Sequence, residues 1–455
     1  MKIAYFSPLR PCRTAVADYS EELLPHLARH AEVDLFVDGY EPSSQAIRMF
    51  YRVVDCSGRG ATAVLDRYDA VIYQAGNSGF HEYILRQALR HPGIVVLHDY
   101  SLHGLFAEIT LARGFPQEYI QEMEACHGAD GRRAAEAVVA GLYARLWETA
   151  PLRYPLNRRL IEASQAVVVL SKAIGDLVKA ANPNVLVRLI RPHCESGPTE
   201  ATPSAEALAE LRQRYGIGAA ATVIATVGFV TSAQRIPLVL EAVAAVAARY
   251  DVHYLMVGGR NPHLDFGDRV RELGLEGRVH VTGHLPIDEL VRCIHLSDIC
   301  VQLKDPTCGE VSGSSCRVLG VGRPLVVFDA GWFKELPDSF CVKVEPGPRE
   351  RDSLQAALEA LVNDPARRAA MSERARAHHA QNYRADRSAA EYIRLINDLT
   401  GHGSLSWFAV KMSELGVGPE DEEFIREVAR EVEALGLHPD AQRDCRRRCS
   451  DARGP

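Results

Sequence analysis

Short runs of β-branched and other apolar residues alternate along this chain with longer stretches of helical period. KIAYF (Lys2 to Phe6) is followed by a helical pattern from Asp18 to about Ala31 and then by VDLFV (Val33 to Val37), which predicts a βαβ unit. The alternation continues with AVIYQ ending at Gln74, a helix from about Gly79, GIVVLHD (Gly93 to Asp99) and AVVVLS (Ala166 to Ser171). These runs are almost wholly apolar, the pattern of strands covered by helices on both faces, so they predict a parallel sheet.

Near Ser196 the texture changes. SGPTEATPSAEA has almost no large apolar residue and reads as a linker. The alternation then restarts: TVIATVGFV from Thr222, a helix from about Arg235 to Tyr250, HYLMVGG to Gly259, RVHVTG (Arg278 to Gly283), DICVQL to Leu303 and PLVVFD (Pro324 to Asp329). The expectation is an α/β protein of two doubly wound, Rossmann-like domains, 1–195 and 221–375, joined by a linker and first helix at 196–220. A helical stretch from about Ser372 to Leu399 follows, its 376–400 part expected to pack back towards the first domain, and 401–455 reads as a charged tail with an amphipathic helix from Glu420 to Leu435. Two such domains facing each other leave a cleft lined by the carboxyl ends of both sheets, where open α/β sheets bind ligands.

Composition narrows the function without naming it. A length of 455 residues with 47% apolar and 24% charged side chains is that of an ordinary globular protein of two or three domains. A formal charge of -7 gives no cationic field for nucleic acid, which is not an expected partner. The first residues form neither a secretory signal nor a membrane span, so the expectation is cytoplasmic. Eleven cysteines in no Cys-x-x-Cys spacing read as free thiols, and neither a metal site nor a cofactor is expected. Cys445 and Cys449 are assigned no role.

The loop after Leu303 reads KDPTCGEVSGSSCRVLG and leads into a helix near Gly313. Small residues there let backbone N–H groups approach an anion at the positive end of the helix dipole. Serines capping their own helix are the simpler reading, but Glu310 adds an ionisable group to the same loop. His98 and Asp99 close another strand. His98 is either a cleft residue or an imidazole satisfied by a carbonyl, whereas Asp99 either orients His98 or caps a helix beginning at Ser101. Asn77 lies in the turn after Gln74, and His103 one helical turn beyond Asp99.

PTCGEVSG, GVGRPLVVFDAGWFKELPD and VGFVTSAQRIPLVLEAVA together resemble the C-terminal domain of the family-4 (group 1) retaining glycosyltransferases of GT-B fold. MKIAYFSPL, YQAGNSGFHEYI and VVLHDYSLHGL are similar to the N-terminal domain of one bacterial branch, and the resemblance runs from Met1 to about Leu399. It implies transfer of a hexose from a nucleotide-diphosphate sugar to an acceptor, with retention and without a metal. Glu310 matches the glutamate beside the donor sugar, Gly313 and Ser314 the amides on the phosphates, and His98 a histidine near the transferred sugar. Gly228, Thr14 and Ala15 fall on donor-side loops, while Asp99, Asn77 and His103 fall on the acceptor side.

The departures from the family pattern sit around the phosphates. A second glutamate eight positions after Glu310 is replaced by Val318, with Arg317 next to it. The usual Arg and Lys after the first strand of the second domain are Phe229 and Gln234, so Arg235 would have to swing in. A small-Gly pair appears as Thr14-Ala15, which predicts an altered loop because alanine resists positive φ. Arg10 or Arg13 is a candidate for the missing charge, and Glu335 a candidate for the ribose hydroxyls. Gly258 and Gly259 fit close approach to nucleotide or a tight turn. Arg153, Arg158 and Arg159, with Trp147 and Leu152, read as a solvated helix face or as peripheral contact with an anionic membrane surface.

The sequence therefore predicts a glycosyltransferase of bacterial polysaccharide or glycoconjugate biosynthesis. Its donor would be a nucleotide sugar and its acceptor a saccharide, a lipid-linked species or a small molecule. The alternative is a degenerate, non-catalytic binding or scaffolding subunit, motivated by Gln234, Val318 and Ala15.

Overall fold

Two parallel sheets organise the chain in a computed structural model, which describes residues 1–57, 64–194 and 202–401. The N-terminal lobe holds β1 (Lys2–Phe6), β2 (Glu32–Val37), β3 (Arg52–Asp55), β4 (Ala70–Ala75), β5 (Ile94–Leu97), β6 (Ala166–Val169) and β7 (Val187–Leu189) in the order β3-β2-β1-β4-β5-β6-β7. The C-terminal lobe holds β8 (Thr222–Val227), β9 (Val252–Val257), β10 (Val279–Val281), β11 (Ile299–Gln302), β12 (Leu325–Phe328) and β13 (Cys341–Val344) in the order β10-β9-β8-β11-β12-β13. Every strand pair is parallel. The central strands are buried on both faces, which is why they stand out as unbroken apolar runs.

Each sheet has its own apolar core, and partly buried Val311, next to Glu310, packs against both. Both sheets belong to one unit, Met1–Ala389; the second, from Ala390, is described as far as Gly401. In each sheet the strand order reverses once, between β1 and β4 and between β8 and β11. Open α/β sheets bind ligands outside the carboxyl ends of the strands at that reversal. The loops after β1, β4, β8 and β11 are therefore the ones that matter.

Several boundaries differ from the pattern reading. The first helix begins at Ala15, three residues before Asp18, because Thr14 caps it with an oxygen 3.3 Å from the Val16 N–H. The long helix read from Ser372 to Leu399 is two, Pro365–Asn382 and Ala385–Thr400. The first of them starts earlier because Asp364 caps it and Pro365 suits its first turn. Part of the linker, the tail beyond Gly401 and the pair Cys445 and Cys449 lie outside the described residues.

The lobes meet through backbone as well as side chains. The Tyr100 N–H donates to the Gly309 carbonyl at 3.2 Å and the Ser101 N–H to the Cys308 carbonyl at 2.8 Å. Gly309 permits this approach, with φ +75° and the site of a Cβ only 2.6 Å from the Tyr100 Cβ. Near the end of the second lobe, His379 Nε2 sits 2.8 Å from the Cys194 carbonyl, tying the helix Pro365–Asn382 to the segment that follows β7.

Candidate active site

A cavity of about 220 Å³ opens at the reversal point of the second sheet. The loop after β8 supplies Gly228, Phe229 and Gln234, the loop after β11 supplies Lys304, Thr307 and Glu310, and Ala15 faces them from the first lobe. Gly313 and Ser314, in the first turn of the helix Gly313–Val321, line the same space. Ser312 caps that helix, its hydroxyl accepting from the Ser315 N–H at 3.2 Å. The capping serine and the first two helical residues, Gly313 and Ser314, thus line one cavity, and the cap itself uses the hydroxyl of Ser312.

Glu310 is held from two sides. Its Oε1 lies 2.9 Å from the Lys304 ammonium, and its Oε2 accepts from the Thr307 hydroxyl at 2.9 Å and the Cys308 N–H at 2.7 Å. Burial raises its pKa, but the Lys304 ammonium and these hydrogen bonds outweigh burial and leave it below the ordinary carboxylate value. Lys304 answers in kind: burial works against the ammonium, yet the Glu310 carboxylate holds its pKa above normal. Lys304 opens the KDPTCGE stretch without any sequence signal of its own, because its place beside Glu310 depends on the loop turning back on itself.

His98, at the end of β5, points at its neighbour in the sheet. Its Nε2 is 2.7 Å from the Gln74 amide oxygen, and its ring stands edge-on to Tyr19 at 4.7 Å. Burial, reinforced by His81 and His193, depresses its pKa to about 3, so the imidazole is neutral at physiological pH. With Nε2–H donating to Gln74, Nδ1 is left as an acceptor.

Asp99 neither contacts His98 by hydrogen bond nor caps a helix at Ser101. Its Oδ2 accepts the Asn77 N–H at 3.0 Å, and the helix that follows begins at His103 with Leu102 as an apolar cap residue. Burial and then the Glu310 charge raise the Asp99 pKa to about 7. Asn77 itself receives the Leu105 N–H on Oδ1 at 3.0 Å and lies 3.7 Å from the Cys308 sulfur across the lobes. His103 is buried, with Nε2 2.7 Å from the Tyr119 hydroxyl, which makes it scaffold for this face.

Several residues read as donor ligands are engaged elsewhere. Arg235, at φ +52°, is clamped by Asp305 at 2.8 Å and by Glu350, so it does not swing into the cavity. Arg317 is buried and pairs with Glu22 of the first lobe at 2.7 Å, and Val318 is core. Glu335 accepts the backbone N–H groups of Lys172 and Ala173 at 3.2 and 2.8 Å, capping the helix Lys172–Ala181 of the first lobe. Arg10 pairs with Asp18 at 2.7 Å, and Arg13 is exposed. Thr14-Ala15 needs no positive φ, because Thr14 is a cap and Ala15 the first helical residue.

Gln234 lines the cavity but spends its amide on the loop. Its Oε1 accepts from the Thr231 N–H and hydroxyl, each at 2.7 Å, and its Nε2 donates to the Phe229 carbonyl at 2.8 Å. Gly258, at φ +129°, packs against the Gly228 backbone, and a Cβ there would overlap the Gly228 carbonyl. Its role is to seat one loop on another.

Residues 209–378, which contain the cavity loops after β8 and β11, match the model described as glycosyl transferases group 1. This segment is a group 1 glycosyl transferase domain. Alpha-D-kanosaminyltransferase of Streptomyces kanamyceticus is 25% identical over 235 residues, an alignment covering 50% of this chain and 58% of that relative. Sucrose-phosphate synthase of Thermosynechococcus elongatus superposes with a TM-score of 0.62 at 16% identity, over 88% of this chain and 100% of that one. An Anabaena protein solved in complex with UDP-glucose superposes with a TM-score of 0.61 at 14% identity, over 86% of this chain and 99% of that one. At such identities the structures establish the fold, which is GT-B.

Around the group 1 domain, none of the described helices is long and apolar enough to cross a membrane. The basic stretch on the first lobe is internally paired: Arg153 with Asp130 at 3.7 Å, Arg158 with Glu162 at 2.7 Å and Arg159 with Glu122 at 2.5 Å. Those carboxylates offset the charge that an anionic surface would attract. Among the described residues no cluster of His, Cys, Asp and Glu is arranged to hold a metal.

Proposed function

We propose that this chain is a retaining glycosyltransferase that moves a hexose, without a metal ion, from a nucleoside-diphosphate sugar to an acceptor held mainly by the N-terminal lobe. The observation that carries this reading is the meeting of Glu310, Lys304 and the amide end of the helix Gly313–Val321 in one cavity at the sheet's reversal point. The group 1 match over 209–378 supports it, as do the relative named for kanosaminyl transfer and the Anabaena neighbour solved with UDP-glucose. The acceptor is a saccharide, a lipid-linked species or a small molecule.

In this reading the diphosphate lies on the Gly313 and Ser314 amides, where fixed donors are each worth about 3–4 kcal/mol in a water-excluded site. Glu310, held ionised, accepts hydroxyls of the donor sugar. His98, held neutral by burial, offers Nδ1 to a hydroxyl from the other face. The bond from the anomeric carbon to the phosphate oxygen breaks while the acceptor oxygen bonds on the same face, and the departing oxygen takes the acceptor proton. No side-chain nucleophile is required.

The test is turnover. The purified protein is incubated with UDP-, GDP- and dTDP-sugars and candidate acceptors, with and without a chelator, and the anomeric configuration of the product is read by NMR. Release of nucleoside diphosphate that survives chelation, with retention, is expected. No turnover together with no nucleotide binding would overturn the reading and favour a scaffold.

A further inference from the structure

We propose that Lys304 is the cation that meets the donor diphosphate in this cleft. The inference rests on the reading of the cavity as a nucleoside-diphosphate site and names the group that makes it workable. A diphosphate entering beside an ionised Glu310 meets like charge, so the site needs a positive group that reaches both.

Among the described residues, Lys304 is the sole basic one lining the cavity. Of the guanidiniums nearby, Arg235 is spent on Asp305 and Glu350, Arg317 on Glu22 and Arg10 on Asp18, while Arg13 is exposed and outside the cavity lining. The loop after β8 brings only Phe229 and Gln234, and the Gln234 amide is taken up by Thr231 and the Phe229 carbonyl.

Lys304 also has capacity to spare. Its ammonium carries three N–H donors. Glu310 Oε1 stands 2.9 Å away as its ion-pair partner, and the side chain keeps 28% of its surface accessible. A four-carbon stem lets the ammonium turn, which a rigid guanidinium fork would not. Glu310 does not need Lys304 to stay in place, since Thr307 and the Cys308 N–H hold its other oxygen. In the resting protein Lys304 neutralises Glu310; with donor bound it turns part of its charge to the phosphates.

Calorimetry on the full chain tests this. UDP, GDP and dTDP are titrated into the wild type, and the best binder is compared with its parent nucleoside on Lys304→Met, Glu310→Gln and the double variant. Lys304→Met should weaken the diphosphate about 10- to 100-fold, the range of a charge-assisted hydrogen bond, and the nucleoside by less than about twofold. The same loss should persist in the Glu310→Gln background. Unchanged diphosphate affinity, an equal loss for the nucleoside, or disappearance of the loss when Glu310 is already neutral would each overturn the proposal. Failure of the wild type to bind any of the three nucleotides would instead overturn the donor reading, and this inference with it.

Discussion

Glu335 and Ala173 are 162 positions apart in sequence, yet the Glu335 carboxylate receives the Ala173 N–H at 2.8 Å, so one lobe caps a helix of the other. An acidic group at a helix N-terminus satisfies amides that have no partner inside the helix. Removing it with Glu335→Ala should cost about 0.5–2 kcal/mol of stability, visible as a lower Tm. Hydrogen exchange at residues 172–174 should rise, while nucleotide affinity stays within about twofold. A large loss of nucleotide affinity would return Glu335 to the ribose.

Glu310→Gln keeps the shape of the side chain and removes the charge that Lys304 faces. Turnover should fall by about 100-fold or more, the scale for losing one preorganised charged group, with an unchanged circular dichroism spectrum. A variant with wild-type rate would remove Glu310 from the chemistry.

Asp99 gives the stability a pH dependence of known sign. Its pKa in the folded protein is about 7, above its ordinary value of 3.8, so the folded state binds the proton more tightly than the unfolded state. The contribution is fully present below the ordinary value and is lost as pH rises through about 7. Asp99→Asn should therefore gain stability relative to wild type from pH 4 to about pH 7 and run parallel above it. Buried His98, His81 and His193 have depressed pKa values and act in the opposite sense, losing stability as pH falls below the usual histidine range. They are common to both proteins and drop out of the difference. Paired thermal melts across that range decide the matter.

Gly258→Ala should be severe for a reason of packing. The residue sits at φ +129°, and a Cβ would meet the Gly228 carbonyl. The backbone conformation alone costs about 1–3 kcal/mol for any other residue, with the clash in addition. A lower Tm and a weakened nucleotide site are expected together, because the two loops must part. A stable variant with normal binding would show that the loops can separate freely.

The central strands were readable because burial on both faces leaves an uninterrupted apolar signature, as in IVVL of β5 and LVVF of β12. β3, β7 and β13 escaped, since RVVD, VRL and CVKV sit at sheet edges and carry charge where only one side is covered. Glu310, Gly313, Ser314, Gln234, Gly228 and Ala15 converge on the cavity because their neighbours in sequence are strand ends, which topology places at the sheet reversal. Arg317, Arg235 and Glu335 could not be placed this way. Long side chains choose partners by distance in space, and Glu22, Glu350 and the Lys172 amide are 295, 115 and 163 positions away. Lys304 was overlooked because its meaning depends on Glu310 turning back on it.

The backbone links from Tyr100 to Gly309 and from Ser101 to Cys308 carry a consequence for the protein's evolution and engineering. The loop bearing Glu310 is hung between two halves, so neither half is an interchangeable part. A chimera that grafts residues 209–378 onto a foreign N-terminal half inherits the cavity loops without the backbone stitching that holds one of them, and productive recombinants are expected to be those that transplant the segment around Tyr100 as well.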